Sequence, residues 1–268
     1  MSTFSASTLA AESGKMACPS AITKKGNLVA GIRQDNPPHS FINAKGEWVG
    51  FDVDIAQGLA DYCGVKLKRV PVDELTRISF LQNGKIDIAA ASMSHTYKRD
   101  QQVDFSQTYF WSSQTFMVRK GDVGKLADLV GKKVGMNRGS HAIGNWEAWH
   151  KKNKKPFDGS LITEFSNKQA AVAALKSGSI AGYAEDYEVL ASFARGNDEL
   201  AILSGAIGMK QDGIGVKENN SKLRDSVNYG LQYLEKTGSW QTMYDRWFGP
   251  DTPTPVPVTH RIEVWPGG

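Results

Sequence analysis

The sequence predicts an α/β fold divided into two lobes, with mainly parallel sheets. Three observations carry this prediction. Strand-like and helix-like patterns alternate along nearly the whole chain, the signature of βα units. The rhythm restarts near Lys133, which marks a second lobe. The length of 268 residues, with 40% hydrophobic and 22% charged residues, suits two medium globular bodies with a sizeable core. A net charge of +4, from 32 basic and 28 acidic residues, is too mild to argue a nucleic-acid partner. The densest basic run, Lys151-Lys152-Asn153-Lys154-Lys155, has no interleaved aromatic residue and reads as a solvated helix end or loop. No segment approaches the ~18 apolar residues of a membrane span.

Residues 27 to 33 read as a buried strand, and Asn36-Pro37-Pro38 as an extended turn, since proline disfavours helical geometry before it. Ala44-Lys45-Gly46-Glu47 is a hairpin-type turn ahead of Trp48-Val49-Gly50-Phe51. Asp52 is a candidate N-cap for a helix carrying Ile55, Ala56, Leu59, Ala60 and Cys63 on one face, closed by Gly64. Val65 to Val72 is a second strand, Leu75 to Asn83 a short helix ended by Gly84, and Ile86 to Ala91 a buried parallel strand. Gln114 to Val118 is strand-like, and Leu126 to Gly131 a single helical turn. A new βα unit follows: Lys133 to Met136, the loop Asn137-Arg138-Gly139-Ser140, and a helix with Trp146 and Trp149. Further units run through Ile162, the helix Lys168 to Ser177, the strand Ile180 to Ala184 and the helix Tyr187 to Phe193. Ile214-Gly215-Val216 is a strand, Leu223, Val227, Leu231 and Leu234 mark an amphipathic helix, and Trp240 to Phe248 is a last helix. The tail from Pro250 to Gly268, with five prolines, should be an extended arm over the surface.

Met1 to Gly14 lacks a charged n-region and an apolar h-region, so it is not an intact signal peptide, and Lys15-Met16-Ala17-Cys18 is a poor lipobox. The two cysteines, Cys18 and Cys63, read as free thiols in a cytosolic chain and as one bridge in an exported one.

Three arginines, Arg33, Arg77 and Arg99, stand where a strand or short helix gives way to a loop. A guanidinium fork matches a carboxylate bidentately and keeps its charge at working pH. One such group suits any amino acid; three converging on one cleft predict a dicarboxylate. Arg77 at a helix start also has a plain surface reading.

Several motifs then combine. Gly46-Glu47-Trp48-Val49-Gly50-Phe51-Asp52-Val53-Asp54, Leu81-Gln82-Asn83-Gly84-Lys85-Ile86-Asp87, Ser92 to Arg99, Val103-Asp104-Phe105-Ser106 and Gly238-Ser239-Trp240 to Trp247-Phe248 resemble family 3 extracellular solute-binding proteins of ABC importers. The resemblance runs from about Gly26 to Phe248. It implies a type II periplasmic-binding-protein fold with two strand crossovers at the hinge and the ligand in the interlobe cleft. The implied organisation is an N-terminal arm 1–25, lobe 1 from 26–115 and 210–249, lobe 2 from 116–209, and a proline-rich arm 250–268.

Carried over by resemblance, Arg99 grips the ligand α-carboxylate, with Ser92 and Ser94 on the loop before it. Asp186 pairs with the α-ammonium, although it could also cap the helix that follows, and Ser140 donates from a helix start, where free amides favour an anion. Gly31-Ile32-Arg33 through Ser40-Phe41 and Arg77 to Gly84 resemble the glutamate/aspartate-binding branch, in which Arg33 and Arg77 would hold the side-chain carboxylate. Lys168 stands where that branch has a histidine and would keep a positive contact to the distal carboxylate. His95 and His141 adjoin these loops, while Phe51 and Trp111 read as core. Within such a fold Cys18 and Cys63 fall at the edge of the sheet away from the cleft, so a structural bridge is expected in an oxidising periplasm.

The expected protein is therefore a periplasmic monomer that binds L-glutamate or L-aspartate by hinge closure and delivers it to an ABC permease. It uses no metal, cofactor or nucleic acid and performs no chemistry. The alternatives are a binder of another polar amino acid, or an enzyme resembling cyclohexadienyl dehydratases, for which Glu185 is the carboxylate beside Asp186.

Overall fold

The computed structural model describes residues 18–266. The first lobe opens with α1 (Ser20–Lys25) and β1 (Asn27–Ile32), then a small antiparallel sheet of β2 (Asp35–Asn36), β3 (Ser40–Ile42) and β4 (Trp48–Val49). It continues through α2 (Phe51–Tyr62), β5 (Lys66–Pro71), α3 (Arg77–Gln82), β6 (Ile88–Ala89) and α4 (Tyr97–Asp100). Strand β7 (Val103–Arg119) leads out of this lobe. The second lobe holds β8 (Val134–Asn137), α5 (Ala142–Lys152), β9 (Ile162–Phe165), α6 (Lys168–Lys176), β10 (Gly182–Asp186), α7 (Tyr187–Ala194) and β11 (Leu200–Ile202). Strand β12 (Gly208–Lys217) returns, and α8 (Ser221–Lys236) and α9 (Ser239–Phe248) complete the first lobe.

The strand order is β5-β1-β6-β12-β7-β10-β8-β9, with β11 also on β7. β1 pairs in parallel with β5 and β6, and β8 with β9 and β10, as alternating βα units require. The two half-sheets are joined because β7 and β12 belong to both. They pair antiparallel from Val103↔Lys217 to Gln114↔Gly208, and β7 then pairs with β10 over Gln114 to Val118. These two crossings are the hinge.

Each lobe has its own core. The first gathers Phe51, Tyr109, Phe110, Trp240, Tyr244 and Phe248 with the aliphatic face of α8, including Leu223, Val227, Leu231 and Leu234. The second gathers Phe116, Met136, Trp146 and Ala184. Trp240 is fully buried and its indole N–H donates to the Tyr109 carbonyl at 3.0 Å, so the ring fills the core without stranding its polar atom.

Several expected elements shift. Only Gln114–Val118 reads as strand in the sequence, yet Val103–Arg119 forms one strand of 17 residues, because a hinge crossing has different neighbours on its two halves and so shows no single burial period. The helix with Ile55 starts at Phe51, capped from Gly50 and not Asp52. Gly50 has φ 135°, and a Cβ there would lie 2.3 Å from the His39 carbonyl oxygen, so only glycine fits. The strand expected over Ile86–Ala91 pairs only at Ile88–Ala89, and that expected over Ile180–Ala184 lies two residues later. The end of the N-terminal arm is helical at Ser20–Lys25, while the readings of Met1 to Ala17 fall outside the described residues. The arm after Pro250 has no helix or strand up to Pro266, yet it is pinned: Ile262 joins the first core and the Trp265 backbone N–H donates to Gln232.

Freed from capping, Asp52 serves a buried network. Tyr109 donates to it at 2.6 Å, and His39 lies 3.8 Å from it. The other face of His39 meets Glu188 of α7 at 2.8 Å, and Ser112 of β7 also donates to Glu188. The network ties a first-lobe loop to a second-lobe helix beside the hinge. Burial opposes the charged imidazole, but the hydrogen bond to Glu188 and the nearby Asp52 carboxylate outweigh it and push His39 up to about 9. A folded value above the ordinary 6.5 means stability fully present below pH 6.5 and lost as pH rises through about 9. That rise corresponds to roughly 3 kcal/mol. Melting between pH 6.5 and 10 should therefore show a falling Tm, and His39→Gln should flatten that slope; an equal slope in the variant would contradict the assignment.

Cys18 and Cys63 are bridged, with Cα atoms 5.4 Å apart and a sequence separation of 45. The bridge fastens the start of the chain to the end of α2. Closing a loop of this size is worth roughly 4 kcal/mol in the chain-entropy account. Replacing both cysteines by serine should lower Tm by several degrees while leaving ligand affinity within twofold, measured by calorimetry.

Candidate functional site

The loops at the carboxyl ends of the parallel strands face one another across the hinge, where open α/β sheets place their ligands. Arg33 follows β1, and β2 ends on Asn36. The turn after β5 delivers Glu74, and α3 starts with Arg77. The loop after β6 carries Ser92 and Ser94, and α4 carries Arg99. From the second lobe come Ser140 and His141 after β8, Lys168 at the start of α6, and Glu185 and Asp186 at the end of β10. The hinge strands add Gln114 and Lys210. All of these line one cavity. Thus the eight site residues expected from sequence, Arg33, Arg77, Ser92, Ser94, Arg99, Ser140, Lys168 and Asp186, are brought together. The void they enclose is about 20 Å³, room for roughly one water. Any larger guest requires the lobes to part.

The charges are mostly spent on one another. Arg33 donates through Nε and Nη2 to Asp35 at 3.0 and 2.8 Å, and through Nη1 to Glu74. Lys168 pairs with Glu185 and lies 3.7 Å from Glu74, so Glu74 bridges a first-lobe arginine and a second-lobe lysine. Burial pushes the Glu74 carboxyl up, but Arg33, Lys168 and Arg77 together bring it well below the usual range. Lys210 donates to Asp186, to Ser92 Oγ at 2.6 Å and to Asp212 at 2.8 Å. Burial opposes the Asp186 carboxylate, yet Lys210 holds it ionised far below its ordinary value. Asp212 shares the same ammonium less well, and burial wins there, raising it to about 6.

Two guanidiniums are different. Arg77 Nη1 donates to the Ala91 carbonyl at 2.8 Å, and its buried Nε has no partner. Arg99 donates to the carbonyls of Ser94 at 2.9 Å and Gly139 at 3.0 Å, the second contact crossing between lobes. Among the described residues neither forms an ion pair. Burial, then the charge of Arg77, lowers Arg99 to about 9, so it stays charged at neutral pH. Ser92 between them has φ 48°, uncommon for a residue with a side chain. That strained backbone is held in the loop whose carbonyls Arg77 approaches.

Residues 28–250 match the family of bacterial extracellular solute-binding proteins, family 3. The chain belongs to this family. An L-cystine-binding protein of Escherichia coli (strain K12) is 28% identical over 234 residues, covering 86% of this chain and 85% of that protein. A glutamate/aspartate import solute-binding protein of Salmonella typhimurium is 25% identical over 238 residues, covering 85% and 78%. The structure of an ancestral arginine-binding protein bound to glutamine superposes with a TM-score of 0.76 at 34% identity, covering 84% of this chain and 98% of that one. The two-lobed periplasmic-binding-protein fold is thus shown. The glutamate/aspartate branch is not singled out, since relatives named for other amino acids match at higher identity. No helix among the described residues is long and apolar enough to cross a membrane.

In this family 3 chain the basic residues divide differently from the sequence expectation. Arg33 and Lys168 line the cavity and also hold carboxylates of the protein. Ser140 Oγ accepts from the Ala142 N–H at 3.1 Å, just ahead of α5, whose N-cap position is His141. Asp186 precedes α7 without capping it; its side chain accepts from Gln114 at 2.9 Å and from Lys210. Of the two flagged histidines, His141 lines the cavity with Nδ1 3.2 Å from Ser94 Oγ, whereas His95 stacks on Phe105 and pairs with Asp100 outside it. Phe51 is core, and Trp111 stacks on His260. Sequence reasoning missed Asn36, Glu74, Gln114, Lys210 and Asp212. The charged pair flanking Gln211, just ahead of an otherwise apolar strand, was the available signal for the last two.

Burial, with Arg99, Lys210 and Arg77, drives His141 down to about 4 despite Asp186. Its imidazole is therefore neutral at pH 7. NMR titration should place its midpoint about two pH units below that of a free histidine; a midpoint near 6.5 would show that the cationic cluster does not act on it.

Proposed function

We propose that this chain is the substrate-binding protein of an ABC importer, working in the periplasm as a monomer and capturing an acidic amino acid, glutamate or aspartate, by hinge closure. Membership in family 3 supports the binding-protein role, and no chemical step is assigned to the cleft. The observation that carries the acidic reading is the pair of buried guanidiniums, Arg77 and Arg99, without a carboxylate partner in a cleft where the other cations are paired.

In this reading Arg99 holds the α-carboxylate with Ser140 at the head of α5, and Arg77 holds the distal carboxylate. Ser92 and Ser94 supply hydroxyls, and Asp186 faces the α-ammonium. Arg33 and Lys168 act through Glu74 and Glu185, fixing the wall of the cleft and not gripping the ligand. The moving bodies are 26–115 with 210–249, and 116–209. The ligand supplies the closed-state contacts, which is hinge closure by population shift. A neutral polar amino acid is the second reading, favoured by relatives named for cystine and by the glutamine-bound ancestral protein.

Calorimetry with glutamate, aspartate, glutamine, cystine and arginine separates these readings. Glutamate or aspartate should bind tightest and arginine weakest. Arg99→Ala should cost about 2 to 5 kcal/mol for every ligand, since it strands a charge in a closed site. Arg77→Ala should weaken the dicarboxylates at least tenfold and leave glutamine within threefold. Equal losses for glutamate and glutamine would sink the assignment of Arg77.

A further inference from the structure

We infer that Lys210 is an internal ammonium seated on Asp186, and that it makes this cleft choose ligands by their carboxylates and not by an α-amine. The inference rests on the proposed placement of the ligand head between Arg99 and Asp186.

Lys210 comes from hinge strand β12, where the chain returns into the first of the two moving bodies. Its side chain is 1% exposed. It bonds Asp186 of the second lobe, Ser92 of the first and Asp212 of its own strand. The second oxygen of Asp186 accepts from Gln114, whose own carbonyl accepts from Asn145 at 2.9 Å. Asp186 therefore has both oxygens taken by donors of the protein. The same holds across the cavity: Glu74 is held by Arg33, and Glu185 by Lys168 and by the Asp186 N–H. Each carboxylate lining the cavity already has its cation, while Arg77 and Arg99 have no anion.

This asymmetry has a chemical consequence. A ligand carboxylate finds unspent donors on arrival. A ligand ammonium finds none of the three lining carboxylates free and must displace Lys210 from Asp186, leaving it with Asp212 and Ser92. A buried ammonium moved from two carboxylates to one loses charge-assisted bonds that the incoming amine then makes in its place. The exchange is near balance, so the α-amine adds little affinity. The substrate class then widens from acidic amino acids to small dicarboxylic acids of the same length lacking the amine. Cationic ligands are disfavoured twice, by Lys210 and by the free guanidiniums.

The test compares the tightest-binding amino acid of the calorimetric panel with its des-amino counterpart: glutarate for glutamate, 4-carbamoylbutanoate for glutamine, 5-guanidinopentanoate for arginine. In the unmodified protein the two Kd values should lie within tenfold. Lys210→Met and Lys210→Gln, checked for folding by circular dichroism, should each shift the ratio at least tenfold in favour of the amino acid by vacating Asp186. A des-amino compound bound more than tenfold more weakly by the unmodified protein overturns the inference, as does an unchanged ratio in a folded variant, which is the result of a purely structural clamp. If neither variant folds, the ratio in the unmodified protein decides alone. If glutamine binds and glutamate does not, the acidic reading fails, yet the ratio for glutamine and 4-carbamoylbutanoate still decides the role of Lys210.

Discussion

The antiparallel pairing of β7 with β12 is the constraint on which this molecule depends. The ten residues of β12 run beside Val103–Gln114 of the seventeen-residue β7, and each strand begins in one lobe and ends in the other. Remove that pairing and two small α/β bodies remain, each with a core but with no shared cleft. With it, the carboxyl ends of both parallel half-sheets point at one place. The hinge strands also enter the site directly: Gln114 and Lys210 project from them onto Asp186. The hinge is thus both the mechanical axis and part of the binding wall.

Burying so many charges is tolerable only because they pair. A buried ion that loses its partner is strongly destabilising, whereas an intact pair contributes little net stability. The chain Arg33–Glu74–Lys168–Glu185 joins the lobes near the cavity, and His39 with Glu188 joins them beside the hinge. Arg77 and Arg99 stand outside this economy. They lie where desolvation makes a carboxylate contact stronger than it would be in water, and Arg99 already reaches across to Gly139. Ligand carboxylates on these two first-lobe groups, with the α-carboxylate also meeting Ser140 of the second lobe, would hold both lobes at once, which is what couples binding to closure.

Much of this was legible in the sequence. The βα rhythm and its restart at Lys133 pointed to a two-lobed α/β fold, because parallel units impose their own period. The eight chosen site residues share one cavity, since the motif loops sit at strand ends by construction of the fold. What the sequence could not show was pairing between distant charges. Arg33 and Arg77 look equivalent as residue types, yet Glu74 and Asp35 claim the first and leave the second. Lys210 carried only the faint signal of its charge ahead of an apolar strand, because its importance comes from Asp186, 24 positions away along the chain. The long hinge strand was legible only at Gln114–Val118 for a similar reason: its burial follows two different sets of neighbours.

Native mass spectrometry of the protein purified without denaturation, followed by identification of whatever small molecule it releases, tests the central claim most directly. The account predicts one bound molecule per chain carrying at least two carboxylates. A released ligand with net positive charge, such as arginine, would contradict the assignment of Arg77 and Arg99 as an unpaired anion site.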